Sequence, residues 1–238
     1  MKDLLPLPSP NEFEALTFDA GGTLFHLAEP PGVTYSRIAA AHGIELDPDA
    51  TTTAFQAVWN HLPRPAHTHP EPRPDDDMGW WRLLVEAIFQ NLQIPIEKSF
   101  PAFFQELYDF YGTAQAWHLD AEALPLLRQA RERFQIGLLS NYDKRLRRLV
   151  KGHGMERFFD FLIISSEIGA DKPHPEIFRA AADAAAVPPY RMLHIGDDAE
   201  CDEVGARTAG FHTWLLREPD HTLAHLRIWL VEDAFGAE

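Results

Sequence analysis

Short apolar runs alternate with helical patterns over most of the chain. The first run, residues 15–18, is followed by Asp19-Ala20-Gly21-Gly22, as expected for a buried strand that ends in a tight turn. Similar apolar runs lie at residues 135–139, 161–165, 191–195 and 211–215. These runs predict five buried strands.

Between these runs, apolar residues recur every three or four positions. In residues 120–133 they are Ala123, Leu124, Leu127 and Ala130, and residues 142–153 and 174–186 repeat the pattern. Strands that alternate with helices of this length favour an α/β fold, with a parallel sheet and helices on both faces.

Residues 30–117 break the alternation. They show helical patterns near 35–42, 52–61, 80–92 and 100–112, and no convincing strand. We therefore predict an all-helical insert, residues 28–116, in an α/β core formed by residues 1–27 and 117–238.

Composition narrows the possible partners. The 238 residues carry a net charge of −15, which argues against a surface for nucleic acid or an anionic membrane. A small phosphate substrate stays compatible, because its site needs only one or two cations. With one cysteine, Cys201, and no apolar run of about 18 residues, we expect a cytoplasmic protein without a membrane span.

Polar residues follow several of the predicted strands. In an open parallel sheet, ligands bind beyond the carboxyl ends of the strands. Asp19, Ser140 and Asp197 lie at such ends, and Lys172 lies in the loop after the third strand. We therefore expect these four side chains to converge.

The first two motifs have a chemical and a structural interpretation. Asp19 can attack phosphorus and form an aspartyl-phosphate, but Asp-x-Gly-Gly is also ordinary turn chemistry. Ser140-Asn141 can hold a phosphate oxygen at a helix N-terminus, but the pair can equally be a simple helix cap.

The other two motifs concern charge. Lys172 can offset repulsion between carboxylates and an anionic substrate, or it can be an ordinary surface lysine. Asp197, Asp198 and Asp202 follow a strand and suit Mg²⁺, which prefers oxygen ligands. Acidic residues also stabilise the first turn of a helix. Each motif alone is ambiguous, whereas their order and common position favour a catalytic site.

The four motifs together resemble those of the haloacid dehalogenase (HAD) superfamily of hydrolases, over residues 16–216. The resemblance implies a Rossmann-like core, a type-one helical cap formed by the insert, and a Mg²⁺ cofactor. It implies a nucleophile and metal ligand at Asp19, metal ligands at the Gly21 carbonyl and Asp197, phosphate contacts at Thr23, Ser140 and Asn141, a catalytic charge balancer at Lys172, and acids behind the metal ligands at Asp198 and Asp202.

A narrower resemblance rests on residues 78–85 in the insert and on residues 140–146. These segments are similar to the group that contains haloacid dehalogenase-like hydrolase domain-containing protein 3 and the rhythmically expressed gene 2 proteins. That group implies the fold more than a substrate.

Gly21 departs from the superfamily pattern. Phosphatases of the superfamily usually carry at this position a second aspartate, which protonates the leaving group and then activates water. Its loss typically costs about 10²–10⁴-fold in rate.

Three interpretations follow from this departure. The sequence favours a Mg²⁺-dependent phosphohydrolase that acts on a small-molecule phosphate with weakened or substituted acid–base catalysis, for example by His26. The second is a catalytically lapsed protein that binds phosphate or a partner. The third is a 2-haloacid dehalogenase, since those relatives also lack the second aspartate.

Overall fold

A computed structural model describes residues 8–65 and 71–232 of the chain. Its strands are β1 (Ala15–Phe18), β2 (Phe25–Leu27), β3 (Trp117–Leu119), β4 (Gln135–Ser140), β5 (Phe161–Ile164), β6 (Met192–Gly196) and β7 (His212–Leu215). Its helices are α1 (Pro31–Ala41), α2 (Pro48–His61), α3 (Met78–Asn91), α4 (Phe100–Phe110), α5 (Ala123–Ala130), α6 (Arg145–Gly152), α7 (Ser165–Ile168), α8 (Pro175–Ala185), α9 (Gly205–Thr208) and α10 (Leu223–Glu232).

The main sheet has five parallel strands in the order β5-β4-β1-β6-β7. The ends of the observed strands lie within one residue of the five predicted strands. Phe18 at the end of β1 pairs with Leu138 of β4 and Ile195 of β6, so the three strands end at the same edge. The predicted α/β fold with a parallel sheet is confirmed.

Helices cover both faces of this sheet, because successive side chains of a strand point to opposite sides. Leu16 and Phe18 of β1 pack in one apolar cluster with residues of α5, α6 and α10. Ala15 packs in a second cluster with residues of α8 and α9. The central strand is therefore buried on both sides, which explains why its sequence reads as a continuous apolar run.

Local chemistry sets the ends of several helices. Asp47 caps α2 by accepting a hydrogen bond of 2.8 Å from the backbone N–H of Ala50, and Pro48 occupies the first helical position. Helix α8 ends at its C-terminus with Ala186, which adopts a left-handed conformation with φ 52°.

Helices α1 to α4 form the predicted helical insert and have an apolar cluster of their own. The buried members of this cluster all lie between Tyr35 and Leu107. Phe103 lies near its centre, with its ring 5.5 Å from that of Phe89 and 6.1 Å from that of Phe100. A separate cluster is what an inserted domain requires, and the exact boundaries at residues 28 and 116 stay a prediction.

The two-stranded antiparallel ribbon β2-β3 was not predicted. It pairs Phe25 with Leu119 and Leu27 with Trp117, at the two points where the chain passes between the core and the insert. Each strand has three residues, too few for a periodic signal in the sequence.

Within residues 8–65 and 71–232, no helix combines the length and the apolar character needed to cross a bilayer.

Replacing Phe103 by Ala tests whether the insert depends on its own core. Phe103 is fully buried, so the cavity left behind should lower the free energy of unfolding by about 3–5 kcal/mol. Urea denaturation gives the total loss, and hydrogen exchange should locate it in α1 to α4. Leu83→Ala is the control, because Leu83 is 56% exposed and should cost less than about 0.5 kcal/mol. Equal losses of unfolding free energy in the two variants would contradict the placement of Phe103 in a separate core of the insert.

Candidate functional site

The polar residues predicted to converge do lie together, at the carboxyl edge of the sheet. Asp19 follows β1, Ser140 ends β4 and Asp197 follows β6. Lys172 reaches them from the loop between α7 and α8. All four line one cavity of about 530 Å³ between the sheet edge and the helical insert.

Lys172 joins two carboxylates. Its Nζ donates hydrogen bonds of 2.6 Å to Asp19 Oδ1 and of 2.6 Å to Asp202 Oδ1. Burial alone would lower the pKa of Lys172, but the two carboxylates raise it above its ordinary value. The side chain therefore stays charged although it is only 4% exposed, which makes it a fixed positive charge beside Asp19.

Asp202 is fully engaged in holding this lysine. Its Oδ1 also contacts His194 Nε2 at 2.9 Å, and its Oδ2 accepts a hydrogen bond from the Asp198 backbone N–H at 2.9 Å. His194 Nδ1 in turn contacts Thr17 Oγ1 at 2.9 Å. Burial works against the charged form of Asp202, but Lys172 and His194 hold its pKa well below the ordinary range. Asp202 is therefore an ionised group that holds Lys172 beside Asp19, and its role as an acid behind the metal ligands stays a prediction.

Asn141 holds the backbone of Lys172. Its Oδ1 accepts a hydrogen bond of 2.6 Å from the Lys172 N–H, and its Nδ2 donates one of 2.9 Å to the Lys172 carbonyl. The sequence suggested a phosphate contact for Asn141, and that role stays a prediction. The contact in the structure is a positioning one, whereas Ser140 lines the cavity beside it.

Gly22 and Thr23 position Asp197. Gly22 has φ +85°, and a Cβ at this position would lie 2.3 Å from Asp197 Oδ2, so both backbone conformation and space require glycine. Thr23 Oγ1 donates a hydrogen bond of 3.1 Å to Asp197 Oδ1. Thr23 is buried and is not among the residues that line the cavity; in the structure it supports Asp197, and its predicted contact with phosphate stays a prediction.

The carboxylates suit a cation such as Mg²⁺. Ligand oxygens of Asp19, Asp197 and Asp202 lie within 4.8 Å of one another. Lys172 holds one oxygen of Asp19 and Thr23 one of Asp197, which leaves each a second oxygen for a metal. Burial raises the pKa of Asp19 to about 6 and raises that of Asp197, with further upward shifts from neighbouring carboxylates. A bound cation would offset this repulsion.

Position 21 has room for a side chain. A Cβ on Gly21 would meet nothing closer than the Trp117 ring, at 4.0 Å. Gly21 lines the same cavity as Asp19, and so does His26, which lies 3.5 Å from Asp120. The missing acid is thus a feature of the sequence and is not forced by packing.

The sequence did not reveal a buried ion-pair network that ties the insert to the core. Arg73, in the loop before α3, contacts Asp77 Oδ2 at 2.7 Å and Asp171 Oδ2 at 2.7 Å. Asp171 directly precedes Lys172 in the chain. In parallel, Trp81 Nε1 donates a hydrogen bond of 2.9 Å to Asp143. The three consecutive acidic residues at 75–77 could have indicated an ion-pair network, but sequence spacing does not identify their partners.

Two relatives align over most of the chain. A family model described as haloacid dehalogenase-like hydrolase matches residues 13–210. The chain is 30% identical to haloacid dehalogenase-like hydrolase domain-containing protein 3 of Bos taurus, over 88% of this chain and 84% of that protein. It is 30% identical to the rhythmically expressed gene 2 protein of Drosophila melanogaster, over 89% and 85%.

Solved structures share the fold at lower identity. A putative HAD-hydrolase from Bacillus subtilis, bound to magnesium, has a TM-score of 0.70 and 19% identity, over 92% of this chain and 98% of that one. The L-2-haloacid dehalogenase RSc1362 has a TM-score of 0.66 and 22% identity, over 92% and 98%. At these identities the similarity concerns the fold.

Replacing Lys172 by Met tests the charge balance. Two carboxylates would stay buried without their shared cation, and removal of one member of a buried ion pair typically costs about 3–5 kcal/mol. We expect a loss of this size in the free energy of unfolding, measured with urea in the presence of EDTA. Lys151→Met is the control, because Lys151 lies on the exposed side of α6 and its change should cost less than about 0.5 kcal/mol. A Lys172→Met protein as stable as this control would contradict the assignment.

Proposed function

Because the chain belongs to the haloacid dehalogenase-like hydrolase family, we propose that it is a Mg²⁺-dependent phosphohydrolase that acts through an aspartyl-phosphate on Asp19. The observation that carries this proposal is the arrangement around Lys172. The buried ammonium of Lys172 holds Asp19 Oδ1, while the carboxylate of Asp197 lines the same cavity.

The charge of the site favours phosphate chemistry over dehalogenation. Asp19, Asp197 and Asp202 bring three carboxylates together around one lysine, an excess of negative charge that would repel an anionic haloacid. A bound Mg²⁺ would neutralise charge on Asp19 and on a phosphate oxygen. The dehalogenase interpretation rests on the missing second aspartate at position 21 and on fold similarity, and fold does not decide function.

The proposed reaction has two steps. In the first, a carboxylate oxygen of Asp19 attacks phosphorus, the bond to the leaving oxygen breaks, and that oxygen keeps the electron pair. In the second, water attacks phosphorus, the bond between phosphorus and the Asp19 oxygen breaks, and the carboxylate keeps the electron pair, while the protons of the water leave with inorganic phosphate or pass to solvent. Lys172 stays protonated throughout, and Asn141 keeps its backbone in place.

The helical insert is proposed to act as a cap. The cavity lies beneath α2, α3 and α4, and residues from these helices complete its walls. The Arg73–Asp171 ion pair joins this cap to the loop that carries Lys172, so closure of the cap and placement of the lysine are linked.

The first test is hydrolysis of acetyl phosphate and p-nitrophenyl phosphate with and without Mg²⁺. We expect Mg²⁺-dependent release of phosphate that is lost in Asp19→Asn, because the amide is a poor nucleophile. Asp183→Asn, a change at an exposed position of α8, should leave the rate unchanged. Absence of release above the Asp19→Asn blank with both compounds would refute the phosphohydrolase and favour a lapsed binding protein.

The second test restores the missing carboxyl. Gly21→Asp should be tolerated, since a Cβ has open space there, and should raise turnover by about 10²–10⁴-fold, the range typical of positioned acid–base catalysis. Gly21→Asn is the matched control, with the same shape and no transferable proton. Equal rates in the two variants would show that the carboxyl group supplies nothing.

A further inference from the structure

We propose that the substrate is a small phosphate monoester whose leaving oxygen is attached to a flat aromatic ring, that is, an aryl phosphate. This inference rests on the proposed phosphohydrolase activity and specifies its substrate class. Two independent features carry it: the aromatic wall of the cavity and the absence of an acid at position 21.

Tryptophans of the cap form one wall of the cavity. The ring centroids of Trp59 and Trp80 are 5.9 Å apart, those of Trp59 and Trp81 are 6.0 Å apart, and those of Trp80 and Trp81 are 5.0 Å apart. Phe55 stacks on Trp59 at 5.7 Å with an interplanar angle of 14°. All four side chains are only partly buried and line the cavity, so they present ring surface to a ligand.

The aromatic wall continues to the nucleophile. Trp117 is the side chain nearest to a Cβ placed on Gly21, and its ring lies 6.2 Å from that of Tyr142. Trp117 is held in place by a hydrogen bond of 2.9 Å from its Nε1 to the Tyr111 carbonyl. Aromatic surface thus runs from the cap to the loop that carries Asp19.

Two charged side chains that line the cavity, Arg145 and Asp77, are already paired within the protein. Arg145 Nη2 donates to Asp143 Oδ2 at 2.6 Å, and Asp77 is bound by Arg73. Guanidinium and carboxylate groups held in this way are poor partners for the hydroxyls of a sugar or polyol phosphate. Arg64, with its Cζ 4.0 Å from the centroid of Trp59, adds cation–π character to the same wall. A flat apolar ring fits this lining better than a polar chain.

The chemistry of position 21 selects the same class. With glycine there, no side chain at this position can protonate the leaving oxygen, so a leaving group that departs as an anion reacts most readily. A phenol has a pKa of about 10, as in tyrosine, whereas the pKa of water, and by analogy of an alcohol, is about 16. When Asp19 attacks an aryl phosphate, the phosphorus–oxygen bond breaks and phenolate leaves, which then takes a proton from water. Hydrolysis of an aryl phosphate therefore depends little on an acid at position 21.

Phenyl phosphate and cyclohexyl phosphate are a matched pair for the first test, since each carries six carbons and only one is aromatic. We expect kcat/KM to be about 10²–10⁴-fold higher for phenyl phosphate. Gly21→Asp should reduce this ratio at least about 10-fold, because the added carboxyl helps the poor leaving group more.

Binding is tested separately from turnover with phenylphosphonate and cyclohexylphosphonate, which are not hydrolysed, by isothermal titration calorimetry in the presence of Mg²⁺. Phenylphosphonate should bind about 3- to 10-fold more tightly, as an aromatic pair contributes. Trp59→Leu should remove this preference and raise KM for phenyl phosphate. Trp229→Leu, a partly buried aromatic of α10 outside the cavity, is the control that should keep the preference.

The outcomes separate the two proposals. Mg²⁺-dependent hydrolysis of acetyl phosphate through Asp19, with equal binding of the two phosphonates or equal rates for phenyl and cyclohexyl phosphate, would overturn the aryl assignment and leave the phosphohydrolase intact. A preference that survives in Trp59→Leu as it does in Trp229→Leu would also overturn it. Absence of Asp19-dependent hydrolysis with every phosphate would overturn both.

Discussion

The site depends on one buried ammonium group shared by two carboxylates. Lys172 is nearly free of solvent, so its charge is tolerated only where Asp19 and Asp202 both lie 2.6 Å away. Asp19 directly follows β1 and Asp202 lies in the segment after β6, its neighbour in the sheet, while the lysine comes from a loop fixed by Asn141 after β4. The requirement for this charge balance therefore joins three neighbouring strands at the edge where ligands bind.

The positive charge of Lys172 does not balance the negative charges around it, and the excess determines which ligands the site can hold. One lysine offsets two carboxylates, while Asp197 adds a third beside them. Because both Asp202 oxygens are already occupied by Lys172, His194 and the Asp198 backbone, the remaining negative charge faces the cavity on Asp19 and Asp197. A divalent cation together with a phosphate dianion would compensate that charge without leaving a new one buried, whereas an uncompensated anion would not.

Much of the fold and of the site was predictable from the sequence because the signals are local. The buried strands read as apolar runs, and Asp19, Ser140 and Asp197 follow three of them directly. The ribbon β2-β3 was not predicted, because each of its strands has three residues and shows no periodic pattern. Two contacts were not predicted for a different reason: the hydrogen bonds of Asn141 to the Lys172 backbone and the ion pair of Arg73 with Asp171. Each joins residues far apart in sequence, and sequence spacing does not say which polar residues will meet.

The cap sequence shows how one set of residues can serve both stability and selectivity. Phe89, Phe100 and Phe103 are fully buried and hold its helices together. Trp59 and Trp80 are instead partly buried and line the cavity, so ring surface that would stabilise a closed core is left available at the site. An aromatic lining of this kind makes few hydrogen bonds to a ligand. Because Gly21 cannot protonate a leaving group, the site also favours a ligand whose leaving group is stable as an anion. In the proposed phosphohydrolase, a substrate with a stable leaving group would need less acid catalysis from the protein, so a site without its usual acid would still turn over such a substrate.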